Sequence, residues 1–335
     1  MAGLAQYSPY FQNPLLTDMI REVPVKTGYI SERFLPREET YDLDFHETVI
    51  ERQADMADLM DSGAEIPLTD RDPVRTVSGS ITDMGQSYVV TKKELAALMD
   101  KGSNSGKRTI AQKQILGKVA AVKGNIDARL EWMGWQALGT GSLAYAKNGV
   151  KLGLDFGVTA ISTLAKKWNQ ADPTILTDYE AQVQQYVDRN GFAPDVFVAG
   201  IVVIRAALND PALRKAVTGY SEKVLTIDEL NSFLRGRKMP PMEAFDALVT
   251  YRDPNNDGIR TTQRLLSDKK GVFLVEGGAI GRNLVGPTVE NNMNPGIYAH
   301  TFSEKRPMRE IVEVVAAGFP KIENPNYIQI VTVMA

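Results

Sequence analysis

The longest regular pattern of apolar positions lies between Lys107 and Leu138. Its apolar residues recur three or four positions apart, at Ile115, Val119, Val122, Ile126, Leu130, Met133 and Ala137. This spacing predicts an amphipathic helix of about 32 residues, roughly 48 Å long. Gly117, Gly124 and Gly134 interrupt the pattern, and glycine in a helix that persists often marks the close approach of another backbone. We therefore expect a spine helix that packs along its length against a sheet.

Shorter patterns predict a mixture of helices and strands around this helix. A capping box of Thr91 and Glu94 begins a short helix, and Gly191 ends an amphipathic helix over 174–190. Strands rich in β-branched and aromatic residues are predicted at 195–200, 247–253, 271–277 and in three segments after residue 296. The sequence therefore predicts an α+β fold whose sheets draw on both ends of the chain.

Two segments near the N-terminus contain little material for a core of their own. Residues 1–40, punctuated by four prolines, predict an irregular arm that stays ordered only if something else holds it. Residues 41–52 alternate like a strand, and 86–91 resembles the strand that returns. Up to the start of the second strand, residues 41–85 hold eleven Asp or Glu against three Arg and no Lys. A two-stranded excursion of this kind is marginal alone in water, so we expect it to lie on another surface.

Composition narrows the classes of function. The chain of 335 residues has 43% hydrophobic residues, 24% charged residues and a net charge of −3, which is typical of a globular protein without a general attraction to nucleic acid or anionic membrane. It has no cysteine, and His46 and His300 have no matched nucleophile. No signal peptide and no apolar run of about 18 residues is present. We expect a soluble, non-secreted protein that is not an enzyme and holds no cofactor or metal.

Two glycine-bearing segments resemble ligand sites only in part. The segment 253–264 begins like a calcium loop, but Arg264 stands at the twelfth position, where a bidentate Glu is required. The same segment favours the turn of a β-hairpin, which is the interpretation we adopt. The segment 275–283 lacks the glycine spacing of a dinucleotide loop and predicts a connection.

Three segments, in this order, resemble the major capsid protein E family of tailed bacteriophages. The first ends the long helix, "ARLEWMGWQALGTG", and the second begins "WNQADPTILTDYEAQVQQYVDRNGFAPDVFVAG". The third extends from "LVGPTVENN" to "YIQIVTV", and the likeness covers roughly residues 30–335. The resemblance implies a fold like that of the phage HK97 capsid subunit, with an N-terminal arm, an extended E-loop, a peripheral domain and an axial domain.

The resemblance also implies how the chain is divided. Its parts would be the arm 1–40, the E-loop with flanking strands 41–90, the peripheral domain with the spine helix 91–150, the axial domain 151–295, and closing strands of the peripheral domain 296–335. Trp132, Met133 and Trp135 would pack at the end of the spine, where it enters the junction between the two domains. The E-loop and the arm would both reach onto a neighbouring subunit.

The implied function is that of a major capsid protein that assembles into hexamers and pentamers of an icosahedral phage head. The partners implied are other copies of the chain, scaffolding, portal and decoration proteins, and packaged double-stranded DNA that is not specifically recognised. The protein would be found in the virion, and in the host cytoplasm during assembly. Since no Lys lies between Lys26 and Lys92, we expect a shell without E-loop cross-links. The alternatives are the shell of a nanocompartment with the same fold and a soluble oligomeric enzyme.

Charge suggests one contact between subunits. Residues 107–131 hold six Lys or Arg against two acidic residues, opposite in sign to the excursion. We hypothesise that acidic residues of one subunit dock on the spine helix of the next, which would favour correct register. The residues concerned are Glu51, Asp55, Asp58 and Asp61 on one side and Lys118 and Lys123 on the other. The alternatives are that both faces are solvated or that the helix faces DNA.

Overall fold

The computed structural model describes residues 4, 8–50, 74–99, 105–147, 150–252, 259–305 and 308–335. Its α-helices are α1 (Asn13–Arg21), α2 (Ser31–Phe34), α3 (Lys92–Leu98), α4 (Ser105–Thr140), α5 (Ile175–Asn190), α6 (Ile201–Asn209), α7 (Pro211–Thr218) and α8 (Ile227–Gly236). The strands are β1 (Arg37–Glu39), β2 (Asp44–Ile50), β3 (Val74–Ser80), β4 (Thr82–Val90), β5 (Ser142–Lys147), β6 (Val150–Asp155), β7 (Ile161–Thr163), β8 (Val196–Ala199), β9 (Met242–Ala244), β10 (Leu248–Arg252), β11 (Arg260–Arg264), β12 (Lys270–Leu274), β13 (Gly281–Thr288), β14 (Asn294–Pro295), β15 (Tyr298–Lys305), β16 (Met308–Ile322) and β17 (Gln329–Thr332).

The long helix α4 is confirmed and extends two residues beyond its predicted range at each end. Its 36 residues span about 54 Å. Its apolar stripe is buried against β16 and β4; a Cβ at Gly318 of β16 would come within 2.7 Å of Leu130. No helix in the described part of the chain is both long and apolar enough to cross a bilayer.

A six-stranded sheet forms the surface against which α4 packs. Its order is β1-β13-β16-β15, with β14 paired to β13 and β4 paired to β16 along nine residues. The long strand β16 therefore has β4 along one edge and β13 and β15 in succession along the other. The buried residues of this sheet and of α4 belong to one continuous hydrophobic cluster.

A second sheet, with a core of its own, contains five strands in the order β7-β17-β12-β8-β9. Its core includes aromatic rings that meet edge-on or tilted, among them Tyr179, Phe197 and Phe273. The helix α5 ends at Asn190 and is followed by Gly191, which has a φ of 78° and forms the C-cap, as predicted. Asp210 separates α6 from α7 and caps the N-terminus of α7, which begins at Pro211.

The excursion near the N-terminus differs from its prediction in the strand that returns. β2 pairs with β3, from Asp44 opposite Ser80 to Ile50 opposite Val74. Residues 86–90, predicted as the returning strand, instead belong to β4 in the six-stranded sheet. The error arose because only Ile81 separates β3 from β4, and local alternation does not reveal which partner each strand takes.

The arm also differs from its prediction, since it packs on its own chain. Its apolar residues are all 3% exposed or less and join the core of α4 and the six-stranded sheet; they are Leu4, Phe11, Leu16, Ile20, Phe34 and Leu35. Part of the arm is regular, since Asn13–Arg21 form α1. The apolar side chains of the described part of the arm are therefore buried within the same subunit.

Two further predictions concern the C-terminal half. β10 and β11 pair as a hairpin, as predicted for 253–264, while Asp253–Gly258 lie outside the described residues. The domain ranges stay a prediction, but the sheets divide the chain differently from a boundary at residue 295. β13 lies before that boundary and joins the six-stranded sheet, while β17 lies after it and joins the five-stranded sheet.

Candidate interaction surfaces along helix α4

A row of charged side chains is buried on the side of α4 that the arm crosses. Lys123, Asp127 and Glu131 follow at four-residue spacing, so they share one helix face, and each is 4% exposed or less. The ammonium of Lys123 lies 3.0 Å from Asp127 Oδ2 and donates to the carbonyl oxygen of Val23. Arg37 of β1 reaches Asp127 Oδ1 at 3.0 Å. Since buried charges are costly unless paired, this row ties the arm to α4.

Glu131 is the point where the arm, the helix and a tryptophan meet. Its carboxylate accepts hydrogen bonds from the backbone N–H of Ile30 and from Trp135 Nε1, both at 2.8 Å, and from the backbone N–H and hydroxyl of Ser31. Burial raises the pKa of Glu131 above its ordinary value, although the hydrogen bonds from Ser31, Ile30 and Trp135 act in the opposite direction. The donors satisfy a carboxylate that would otherwise be an unpaired buried charge.

Trp135 lies at the end of α4 between the arm and the five-stranded sheet. Its ring is fully buried, stacks on Phe245 at 4.2 Å and meets Phe34 edge-on at 6.3 Å. Phe34 belongs to α2, and Phe245 directly follows β9. Met133, 3% exposed, lies in the same core. The end of α4 thus joins the arm to the loop that leaves the second sheet.

Trp132 points to a different surface. It is half-buried, and its ring meets Tyr145 of β5 edge-on at 6.1 Å. The guanidinium carbon of Arg129 lies 5.1 Å from the centroid of each of these two rings. Cation–π and edge-to-face contacts both favour this cluster. Trp135 therefore packs in the interior, whereas Trp132, three residues earlier, lies on an open surface.

The open surface is a groove with α4 as its floor, which we call the β4 groove. It consists of adjoining cavities of about 630 and 320 Å³ that share Gln86, Asn125, Arg129, Trp132 and Tyr145 as lining residues. One wall is β4; the β5–β6 and β10–β11 hairpins form the other side. Asn125 donates to Gln86 Oε1 at 2.7 Å across the floor.

The outer edges of β15 and β4 in the six-stranded sheet differ in what covers them. On β15, Thr17 of α1 both donates to the carbonyl oxygen of Ala299, at 3.1 Å, and accepts from its N–H, at 3.2 Å. Asn13 accepts from the N–H of Thr301 at 3.2 Å. Side chains of the arm therefore occupy the place of a further strand. Among the described residues, β4 pairs only with β16, and no such side-chain cap covers its other edge.

Of the charged residues named from the sequence as docking residues, the structure describes only Lys118 and Lys123. Lys118 is exposed on α4, but Lys123 is buried and bound within the chain, so its assignment to a docking strip was wrong. Glu51, Asp55, Asp58 and Asp61 lie outside the described residues. Lys123, Asp127 and Glu131 lie beside the apolar stripe of α4. The periodicity that predicts a buried stripe therefore also predicts that these three charges are buried, and the assignment of Lys123 to a docking strip did not take this into account.

The close approach of another part of the chain, predicted at three glycines of α4, occurs at one of them. At Gly134 an added Cβ would lie 3.1 Å from Ser31, so the arm does approach closely there. At Gly117 and Gly124 nothing lies within 4 Å of an added Cβ, and the expected close backbone is absent among the described residues.

His300, half-buried on β15, stacks between Tyr298 and Phe302 and lies 3.5 Å from Glu313. Within the described ranges, no three His, Asp or Glu side chains are grouped to hold a metal ion.

Solved structures of phage-related proteins have the same fold. A prophage protein from E. coli CFT073, assigned as a capsid protein, superposes with a TM-score of 0.64 at 17% identity, over 97% of this chain and 99% of that one. A phage-related protein from Bordetella bronchiseptica RB50 superposes with a TM-score of 0.57 at 13% identity, over 95% and 96% of the two chains. At these identities the likeness establishes the fold, which is α+β and HK97-like. No curated protein matches the sequence.

The sequence also matches a protein family along almost its whole length. The family is described as phage major capsid protein E, and the match covers residues 15–333. It includes α4, both sheets and most of the arm, so it does not depend on a single motif. The chain therefore belongs to the phage major capsid protein E family.

Proposed function

We propose that this capsid protein forms the hexamers and pentamers of an icosahedral phage head and encloses double-stranded DNA without recognising its sequence. The observation that carries the proposal is the family match over residues 15–333, together with an HK97-like fold over the whole chain. The net charge of −3 suits a wall that does not grip a polyanion. Its role is structural, and its place is the phage head.

The finer parts of the proposal concern partners. Scaffolding, portal and decoration proteins would act with the shell, and assembly would take place in the host cytoplasm. The absence of lysine from 27–91 supports a shell held without E-loop cross-links. Denaturing electrophoresis of mature heads should then show this chain as a single band near 36.9 kDa.

Heads recovered from cells that produce the whole phage provide the test. They should contain this chain as the dominant protein and should release double-stranded DNA, resistant to nuclease until the heads are disrupted. Particles that hold an enzyme and no nucleic acid would contradict the proposal and favour a nanocompartment shell.

We also propose that the acidic residues Glu51, Asp55, Asp58 and Asp61 face basic residues of a neighbouring copy, with Lys118 as one of them. Lys118 is exposed, and exposed charges mainly steer association. Lys118→Glu should slow assembly at low salt, with a smaller effect at high salt, because exposed pairs are weak and screened. Light scattering during assembly measures this rate. Equal rates for Lys118→Glu and the unchanged chain would exclude Lys118.

A further inference from the structure

We propose that residues 30–37, which we call the strap, fix the angle between the two sheets, and that the contacts of Arg33 are the reversible part of this attachment. The strap contains α2 and the first residue of β1. The inference goes beyond the proposed function, because it concerns the shape of a single subunit. It depends on contacts that the strap makes with both sheets and on the unequal burial of those contacts.

The joint beneath the strap is apolar. Val198 of β8 and Val272 of β12 are fully buried and belong to the same hydrophobic cluster as α4. The five-stranded sheet therefore packs directly on the helix that also carries the six-stranded sheet. Apolar contact is non-directional, and packed elements can slide over one another by small shear movements. Directional contacts are therefore needed to select one angle.

The strap is attached to α4 and to the six-stranded sheet by buried groups. The Ser31 N–H and hydroxyl donate to Glu131 of α4. Asn283 of β13, 3% exposed, donates from Nδ2 to the carbonyl oxygen of Leu35 at 3.1 Å and from its N–H to that of Pro36 at 2.9 Å. Because breaking these hydrogen bonds would leave buried polar groups unpaired, this part of the attachment stays closed.

Arg33 attaches the strap to the five-stranded sheet. Its Nη1 donates to both carboxylate oxygens of Glu243 on β9, at 2.9 and 2.8 Å, and its Nε donates to Glu276 Oε1 at 2.9 Å. Glu276 follows β12, and β8 lies between β12 and β9 in the sheet. One guanidinium therefore holds the sheet at two separate points, which fixes its orientation as well as its distance.

The strap also contacts a connection between the two sheets, residues 275–280, which joins β12 to β13. The N–H of Gly277 donates to the carbonyl oxygen of Arg33 at 3.3 Å. Gly278 has a φ of 78°, and an added Cβ would lie 2.7 Å from Pro36. A glycine tolerates this conformation and this close approach. The strap thus lies against residues that would have to move if the angle between the sheets changed.

The two parts of the attachment differ in their exposure to solvent. The side chains of Arg33 and Glu243 are each 36% exposed, and that of Glu276 is 42% exposed. Ion pairs at this exposure are weak and are screened by salt, unlike the buried hydrogen bonds of Glu131 and Asn283. When Arg33 leaves, the two carboxylates lose the cation between them and repel each other. The Arg33 contacts therefore open first.

A distance measurement between spin labels tests the inference on unassembled subunits. Because the chain has no cysteine, Ser87→Cys on β4 and Ala216→Cys on α7, both at exposed positions, provide two unique labelling sites. Pulsed double electron–electron resonance should give one narrow distance peak. Arg33→Gln should broaden it and add a second peak several ångströms away. In about 1 M salt, where the screening length is about 3 Å, the unchanged strap should show the same second peak.

Two further variants show whether the ion pairs are the cause. Glu243→Gln combined with Glu276→Gln removes both carboxylates without altering the strap, and it should reproduce the second peak. Arg237→Gln is the matched control, since it removes an ion pair with Glu180 of α5 at similar exposure, 46% and 39%. It should leave the distance unchanged. A single peak at the same distance in Arg33→Gln and in concentrated salt would overturn the inference.

A consequence for assembly rests on the proposed function. Copies in rings of five and of six meet at different angles, so a chain that forms both kinds of ring has to adopt more than one shape. Arg33→Gln subunits should therefore assemble into shells with a wider range of diameters than Arg237→Gln subunits in negative-stain images. Equally uniform shells would overturn the role of the strap in assembly, whereas an unchanged chain that never forms shells would overturn the proposed function.

Discussion

At the scale of single residues, the Glu131 carboxylate joins the arm to α4. It accepts hydrogen bonds from two residues of the arm and from Trp135, and it continues the buried row of Lys123 and Asp127. The network gives the arm a defined position on the helix. Removing the carboxylate would leave several buried donors without an acceptor, which is more costly than the loss of one exposed hydrogen bond.

Glu131→Gln should lower the free energy of unfolding by about 1–3 kcal/mol at neutral pH. Because burial raises the pKa of Glu131, the stability that this group contributes is fully present below its ordinary value of 4.5 and declines as the pH rises through the pKa of the folded state. The difference between the unchanged chain and Glu131→Gln should therefore be larger near pH 4 than at pH 7. Urea denaturation at a series of pH values measures it.

Glu94 provides a control of opposite sign. Its burial would raise its pKa, but hydrogen bonds from Tyr88 and Thr91 outweigh burial and lower it. Its contribution is therefore present above its ordinary value and is lost as the pH falls. The difference between Glu94→Gln and the unchanged chain should grow with pH. The same trend in both variants would contradict the assignment of Glu131.

Trp135 and Trp132 make a second test at this scale. Trp135→Ala should destabilise the subunit by about 3–5 kcal/mol, because it empties a fully buried site between Phe34 and Phe245. Trp132→Phe, at a half-buried position, should cost no more than about 1 kcal/mol. Unfolding followed by circular dichroism distinguishes the two. Equal losses would mean that Trp135 is not the ring that joins the arm to the second sheet.

At the scale of elements, α1 acts as a cap for the edge of β15. The Thr17 hydroxyl supplies both a donor and an acceptor to Ala299, as the backbone of a neighbouring strand would. A helix that covers an edge in this way prevents the sheet from pairing with another chain there. The arm is therefore part of the structure of the sheet.

Thr17→Val keeps the shape of this side chain and removes its hydrogen bonds. It should lower the free energy of unfolding by about 1–3 kcal/mol, because the Ala299 N–H and C=O stay buried without a partner. Amide exchange at Ala299 should accelerate. Thr163→Val, at an exposed position in β7, is the matched control and should change stability by no more than about 0.5 kcal/mol. Unchanged exchange at Ala299 would contradict the cap.

The elements with local signals were predictable from the sequence. The periodicity of α4, the capping box at Thr91 and Glu94, and Gly191 after α5 all report on backbone and packing within one element. The partner of β4 and the position of the arm were not predictable, because both depend on contacts between residues far apart in the chain. The groove was missed for the same reason, since α4, β4 and two hairpins each contribute to it.

At the scale of the whole molecule, the described chain is a subunit with its main cores already filled. Two sheets, two hydrophobic clusters and an arm packed on its own chain leave the β4 groove as the open feature beside α4. The described apolar residues of the arm are buried on the same chain, whereas the sequence predicts an arm that is held by a neighbour. The apolar residues of the arm that are buried within the subunit are not available to contacts between copies.

Cryo-electron microscopy of particles assembled from the purified chain tests the account most directly. We predict closed shells with five-fold and six-fold clusters of subunits, in which each arm remains on its own α4. A chain that stays monomeric at every concentration, or that forms only open sheets, would contradict the central claim that this fold is a capsid subunit.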